Sequence, residues 1–129
     1  MFEQLELHPD LCHAIADMGY TEPTSIQSIV IPVAMEGKDI MASAPTGTGK
    51  TAAFLLPILD RFTREPNDKV DTIILLPTRE LAMQVDRQLE GFSFYTPVSS
   101  VAVYGGRGGQ EMEMERRALK KGAPIIVAT

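Results

Sequence analysis

Ala44-Pro45-Thr46-Gly47-Thr48-Gly49-Lys50-Thr51 joins two stretches of different periodicity. Before it, Asp39-Ile40-Met41-Ala42-Ser43 is a short apolar run of the kind that forms a buried parallel strand. After it, residues 50–62 carry apolar side chains at helical spacing. A Walker A loop belongs between a strand and a helix, and its letters are matched here except that Ala44 stands where the general signature has glycine. Gly47 and Gly49 permit left-handed backbone, which lets successive N–H groups turn inward. The helix N-terminus that follows adds partial positive charge. Lys50 supplies a mobile cation for β- and γ-phosphate oxygens, and the Thr51 hydroxyl is a ligand for Mg²⁺. A bare glycine-rich turn would fit the same letters, but the strand before and the helix after favour a site for ATP or GTP.

Outward from the loop the alternation continues. Thr72-Ile73-Ile74-Leu75-Leu76, Ser100-Val101-Ala102-Val103-Tyr104 and Pro124-Ile125-Ile126-Val127-Ala128 read as strands, with helices at residues 79–92 and 110–121 between them. Upstream, residues 9–18 form a short helix opened by Pro9 and stopped at Gly19. A second helix follows, capped by Thr24 or Ser25, kinked at Pro32 and ended at Gly37. Residues 64–69 are a polar surface loop. The expected class is α/β, a parallel sheet flanked by helices.

Composition sets outer bounds. At 129 residues, with 44% hydrophobic and 22% charged, the chain suits one domain and leaves little room for two. A single cysteine, Cys12, allows no internal disulfide, and no export signal or membrane-length apolar run is present, so a cytoplasmic setting without a membrane is expected. The net charge of −5 argues against a broad basic clamp, so any nucleic acid must be held locally, by backbone amides and a few cations. His8 and His13 are isolated, which disfavours zinc. The charges at Glu113, Glu115, Arg116, Arg117, Lys120 and Lys121 read as the wet face of a helix, with Met112 and Met114 filling gaps or facing solvent.

Several motifs occur together in one order. Gly19-Tyr20-Thr21-Glu22-Pro23-Thr24-Ser25-Ile26-Gln27 resembles the Q motif of DEAD-box ATP-dependent RNA helicases, with Phe2 lying seventeen residues before Gly19, where that family places an isolated aromatic. Pro77-Thr78-Arg79-Glu80-Leu81-Ala82 resembles motif Ia, Gly105-Gly106 the glycine doublet, and Thr129 the opening of motif Ib. The resemblance covers essentially residues 1–129 and implies the N-terminal portion of the first RecA-like domain, an incomplete P-loop NTPase fold.

By that resemblance, Gln27 reads adenine, Phe2 and Tyr20 pack on or beside the base, Thr24 buttresses the loop, and residues 44–51 hold ATP and Mg²⁺. A side-chain amide suits the role, since its donor and acceptor match adenine's N7 and N6. Pro77, Thr78, Arg79, Glu80, Gly105, Gly106 and Thr129 would contact the RNA backbone largely independently of sequence, with a weaker vote for Arg107. Judged without the family pattern, Thr78 and the glycines could equally be a cap and turns. The family's Asp-Glu-Ala-Asp and Ser-Ala-Thr motifs and its second RecA-like domain are not found in these residues. The expectation is therefore an RNA-stimulated ATPase and helicase for a longer protein and no hydrolysis by this polypeptide alone. The alternative is a non-catalytic nucleotide-binding module.

Overall fold

The computed structural model describes residues 1–105 and 108–129. A 3-10 helix at Phe2–Leu5 precedes α1 (Pro9–Asp17), α2 (Ser25–Met35), α3 (Lys50–Arg64), β1 (Thr72–Leu75), α4 (Arg79–Phe92), β2 (Ser100–Val103), α5 (Gly109–Lys121) and β3 (Ile125–Ala128). The three strands are parallel in the order β1-β3-β2, with Leu75 and Val103 both in register with Ala128. The late strand in the middle requires crossovers, and α4 and α5 supply them.

Local chemistry sets most boundaries. Pro9 occupies the first turn of α1, where no N–H is needed, and the His8 ring Nδ1 caps it by accepting from Asp10 N. At α2, Thr24 is the cap rather than Ser25: its Oγ1 accepts from Gln27 N while the Gln27 side-chain oxygen accepts from Thr24 N at 2.9 Å, a reciprocal capping box. Thr78 Oγ1 caps α4 by accepting from Leu81 N. α2 contains Pro32, and α3 contains Pro57, which the sequence reading leaves unmarked.

The core gathers around α3. Leu55, Leu56 and Leu59 are fully buried and meet Leu11 and Ile15 of α1, Ile31 of α2, Leu89 and Phe92 of α4, and Ile125 and Val127 of β3. Each such side chain contributes roughly 1.5–3 kcal/mol by leaving water. α5 buries no residue, and Met112 and Met114 face solvent.

One element departs from the sequence reading. Residues 39–43, expected as a buried strand, are not in a sheet and are exposed throughout, with the Met41 side chain fully in solvent. Apolar letters record a preference for burial, but a strand exists only through a ladder. None of the described strands pairs with this segment. A cleft of about 1010 Å³ lies between it and the sheet, bounded by Ile40 and Ala42 on one side, Thr72 on the other and α2 and α3 beneath.

Candidate nucleotide site and nucleic-acid edge

The phosphate loop sits where α3 begins. Gly49 is the residue before the helix, with φ +86°, and Gly47 has φ +82°, so both take the left-handed backbone that a side chain disfavours. Gly49 is constrained a second way: a Cβ there would lie 2.3 Å from Gln27 Nε2. The Lys50 ammonium donates to the carbonyls of Ala44 and Pro45, and Thr48 Oγ1 donates to Pro45 O at 2.6 Å. The loop is therefore curled over its own lysine. Pro45, Thr46 and Gly47 are exposed, while Ala44, Thr48, Gly49, Lys50 and Thr51 are half-buried. Lys50 and Thr51 line one end of the large cleft, whose remaining walls are mostly apolar and resemble a sheet-covering surface more than a phosphate cradle.

Gln27 is wholly buried, not an exposed helix residue. Its oxygen accepts from Thr24 N, and its Nε2 donates to Gly49 O at 3.1 Å. One amide thus links the cap of α2 to the last residue of the phosphate loop, leaving one N–H and one lone pair for any further partner. The Thr24 hydroxyl also lies beside Gly49. Phe2 belongs to the core, 3% exposed, with Tyr20 edge-on at 6.4 Å and Tyr20 in turn against Phe92 at 5.5 Å. Of the two aromatics, only Tyr20 keeps substantial exposed surface.

The second group of residues lies on the C-terminal edge of the sheet. Because the strands are parallel and in register at Leu75, Ala128 and Val103, the segments that leave them emerge side by side. Pro77, Thr78, Arg79 and Glu80 follow β1, Gly105 follows β2 and Thr129 follows β3; all are exposed. Leu76 N donates to Ala128 O at 2.9 Å and Thr129 N to Val103 O, extending the ladder to the rim. Space is open where a Cβ on Gly105 would project. Gly106 and Arg107 lie outside the described residues. In open α/β sheets this edge is where ligands bind.

A further polar group goes unnoticed in the sequence. The carboxylate of Asp60, 5% exposed, accepts from Arg64 Nε at 2.7 Å and from His8 N at 2.6 Å, and Arg64 Nη2 also donates to Glu6 O at 2.8 Å. The hydrogen bond that Arg64 donates to Asp60, reinforced by the carboxylate's charge, holds the guanidinium even more firmly protonated than usual. The Asp–Arg spacing of four on one helix is the signal that could have found the pair.

The family model for the DEAD/DEAH box helicase matches residues 24–129. Among curated relatives, the probable ATP-dependent RNA helicase ddx27 of Dictyostelium discoideum is 42% identical over 99% of this chain and 16% of its own length. The RNA helicase Prp28 of Chaetomium thermophilum, solved bound to ADP, superposes with a TM-score of 0.86 at 40% identity over 98% of this chain and 31% of that one. A DEAD box protein from Methanococcus jannaschii gives 0.88 at 37% identity, covering 99% of this chain and 34% of that one. The chain thus spans between a sixth and a third of the length of these proteins. A family model that takes in the cap of α2, the phosphate loop, all three strands and the rim between them leaves one assignment: the chain belongs to the DEAD/DEAH box helicase family.

Proposed function

We propose that this chain is the ATP-binding and RNA-contacting front portion of an ATP-dependent RNA helicase, whose complete form separates short duplexes by closing a second RecA-like domain over nucleotide and RNA. The observation that carries the reading is the Gln27 amide, which ties the cap of α2 to Gly49. A base-reading element and a phosphate-holding loop are useful to one another only if one molecule spans both, and a nucleoside triphosphate does.

The residues present fit that ligand. Two left-handed glycines shape the turn, and the first N–H groups of α3 have no helical partner, so they are available to phosphate oxygens. Lys50 leaves the Ala44 and Pro45 carbonyls for the phosphates, exchanging neutral acceptors for charged ones. Thr51 offers one hydroxyl oxygen to a Mg²⁺ ion, which neutralises phosphate charge when bound. Because Gln27 is wholly buried in this structure, its remaining donor and acceptor meet adenine's N7 and N6 edge once the turn before α2 shifts to uncover them, with Tyr20 beside the base and Phe2 behind it. RNA lies along the rim, its phosphates on the N-terminus of α4 at Thr78 and Arg79, its backbone passing the open face of Gly105 and Thr129. A cytoplasmic setting belongs to the same proposal.

The test is a titration of the chain with ATP and GTP. ATP binds more tightly, and Gln27→Ala narrows the gap while lowering affinity for both, since it leaves Thr24 N and Gly49 O without their partner at about 1–3 kcal/mol. Equal binding of the two nucleotides by the unaltered chain overturns the assignment of Gln27.

A further inference from the structure

We infer that Asp60, with Arg64, is a positioning residue for the base side of the nucleotide site, acting from the far end of the phosphate-loop helix; this rests on the nucleotide reading above. Asp60 sits near the C-terminal end of α3, the helix whose N-terminus holds Lys50. Its carboxylate accepts from the backbone of His8, the residue that opens α1, and from Arg64, which reaches on to Glu6 O. The turn it grips is a constrained one. Glu6, at φ +56°, is the one positive-φ residue other than glycine among the described residues.

Two lines of contact run from that turn to the base side. On one side the 3-10 helix carries Phe2, whose ring stands edge-on against Tyr20. On the other α1 runs rigidly from His8 to its C-terminal end, where Tyr20 N donates to Ile15 O at 3.1 Å. Both lines end at Tyr20, the half-exposed aromatic beside the Gln27 motif. Gln27 then returns to Gly49 at the start of α3. The N-terminal segment is therefore fastened to α3 at both ends, by an amide at the phosphate loop and by a buried carboxylate and its arginine some three turns away. Arg64 is about half exposed, so the fixed point of the pair is the carboxylate, which is 5% exposed and holds a backbone N–H at 2.6 Å.

The prediction separates base from phosphate. Binding of ATP and of inorganic triphosphate is measured for the unaltered chain and for Asp60→Asn, Arg64→Lys and Arg64→Ala, with circular dichroism as the check on folding. Asp60→Asn weakens ATP roughly tenfold, the scale of one lost hydrogen bond to a charged group, and leaves triphosphate unchanged. Arg64→Lys retains more ATP affinity than Arg64→Ala. In a Tyr20→Ala background, Asp60→Asn has no further effect on ATP, because the ring it positions is gone. Parallel losses of ATP and triphosphate, or no loss of ATP in folded variants, overturn the inference. If Asp60→Asn fails to fold, the two Arg64 variants decide, since that side chain is about half exposed. An unaltered chain that binds triphosphate but not ATP more tightly removes the base side and this inference with it, leaving the phosphate loop standing. One that binds neither removes the nucleotide reading as a whole.

Discussion

The phosphate loop and the rim of the sheet each stand at the start of a helix, α3 and α4, but they are held in place by different means. At the loop, side chains hold the backbone: Gln27 on Gly49, Lys50 on Ala44 and Pro45, Thr48 on Pro45. At the rim, the backbone holds itself, since β1, β3 and β2 are laddered up to Leu76 and Thr129. The strand expected to do the same for the loop, residues 39–43, has no ladder among the described residues. A single side chain should therefore matter more at the loop than at the rim.

Hydrogen exchange gives the largest contrast. In the central strand β3 (Ile125–Ala128), paired on both sides, backbone amides exchange only by opening of the sheet, whereas alternate amides of the edge strands β1 and β2 face away from it. Amides of residues 39–43 are exposed and outside any sheet, so they exchange near the rate of an unfolded peptide. With a domain stability of about 5–15 kcal/mol, the difference between the two sets should exceed a thousandfold. Strong protection across residues 39–43 in a monomer would break the comparison, because some partner would then be holding that segment.

Lys50→Ala is next in size. It removes the ammonium proposed to meet the phosphates, a charge-assisted contact of about 1.5–3 kcal/mol, so ATP affinity falls roughly tenfold to a hundredfold. Thr51→Ala has a smaller effect, confined to titrations with Mg²⁺ present. Isothermal titration with and without Mg²⁺ separates the two, and ATP binding unchanged in Lys50→Ala would sink the phosphate-loop reading.

The same distinction explains how much of the molecule could be read from its letters. α4 begins at Arg79 and ends at Phe92, as its periodicity indicates, because Thr78 caps it locally and its apolar face meets the core. The three laddered strands fall within a residue of their apolar runs. Local patterns and local caps are written in local sequence. Residues 39–43 have the same apolar character, yet they fail as a strand because pairing depends on a partner elsewhere. The inward turn of Gln27 and the grip of Asp60 on His8, 52 residues away, are tertiary contacts of the same non-local kind. For the proposed site, the Walker A letters pointed to the loop and the family resemblance to the rim residues, whereas which atoms satisfy Lys50 and Gln27 became visible only in three dimensions.

The smallest predicted effect comes from Thr78→Ala, and it tests the rim's half of the comparison. The Thr78 hydroxyl accepts from Leu81 N at 3.2 Å and is exposed, so its loss costs an N-cap, about 1 kcal/mol and a fall of a few degrees in melting temperature. The rim should otherwise keep its shape, because Leu76 N remains bonded to Ala128 O whatever side chain stands at 78. Binding of single-stranded RNA then weakens modestly and equally for different sequences, with no change in its salt dependence, since the lost group is neutral. Arg79→Ala makes the companion measurement: removing a cation from a phosphate lowers the slope of log affinity against log salt by about 0.7. A Thr78→Ala loss that depends on RNA sequence would mean base contacts at this rim. A loss as large as that of Lys50→Ala on ATP would mean that here too one side chain, rather than the ladder, holds the backbone in place.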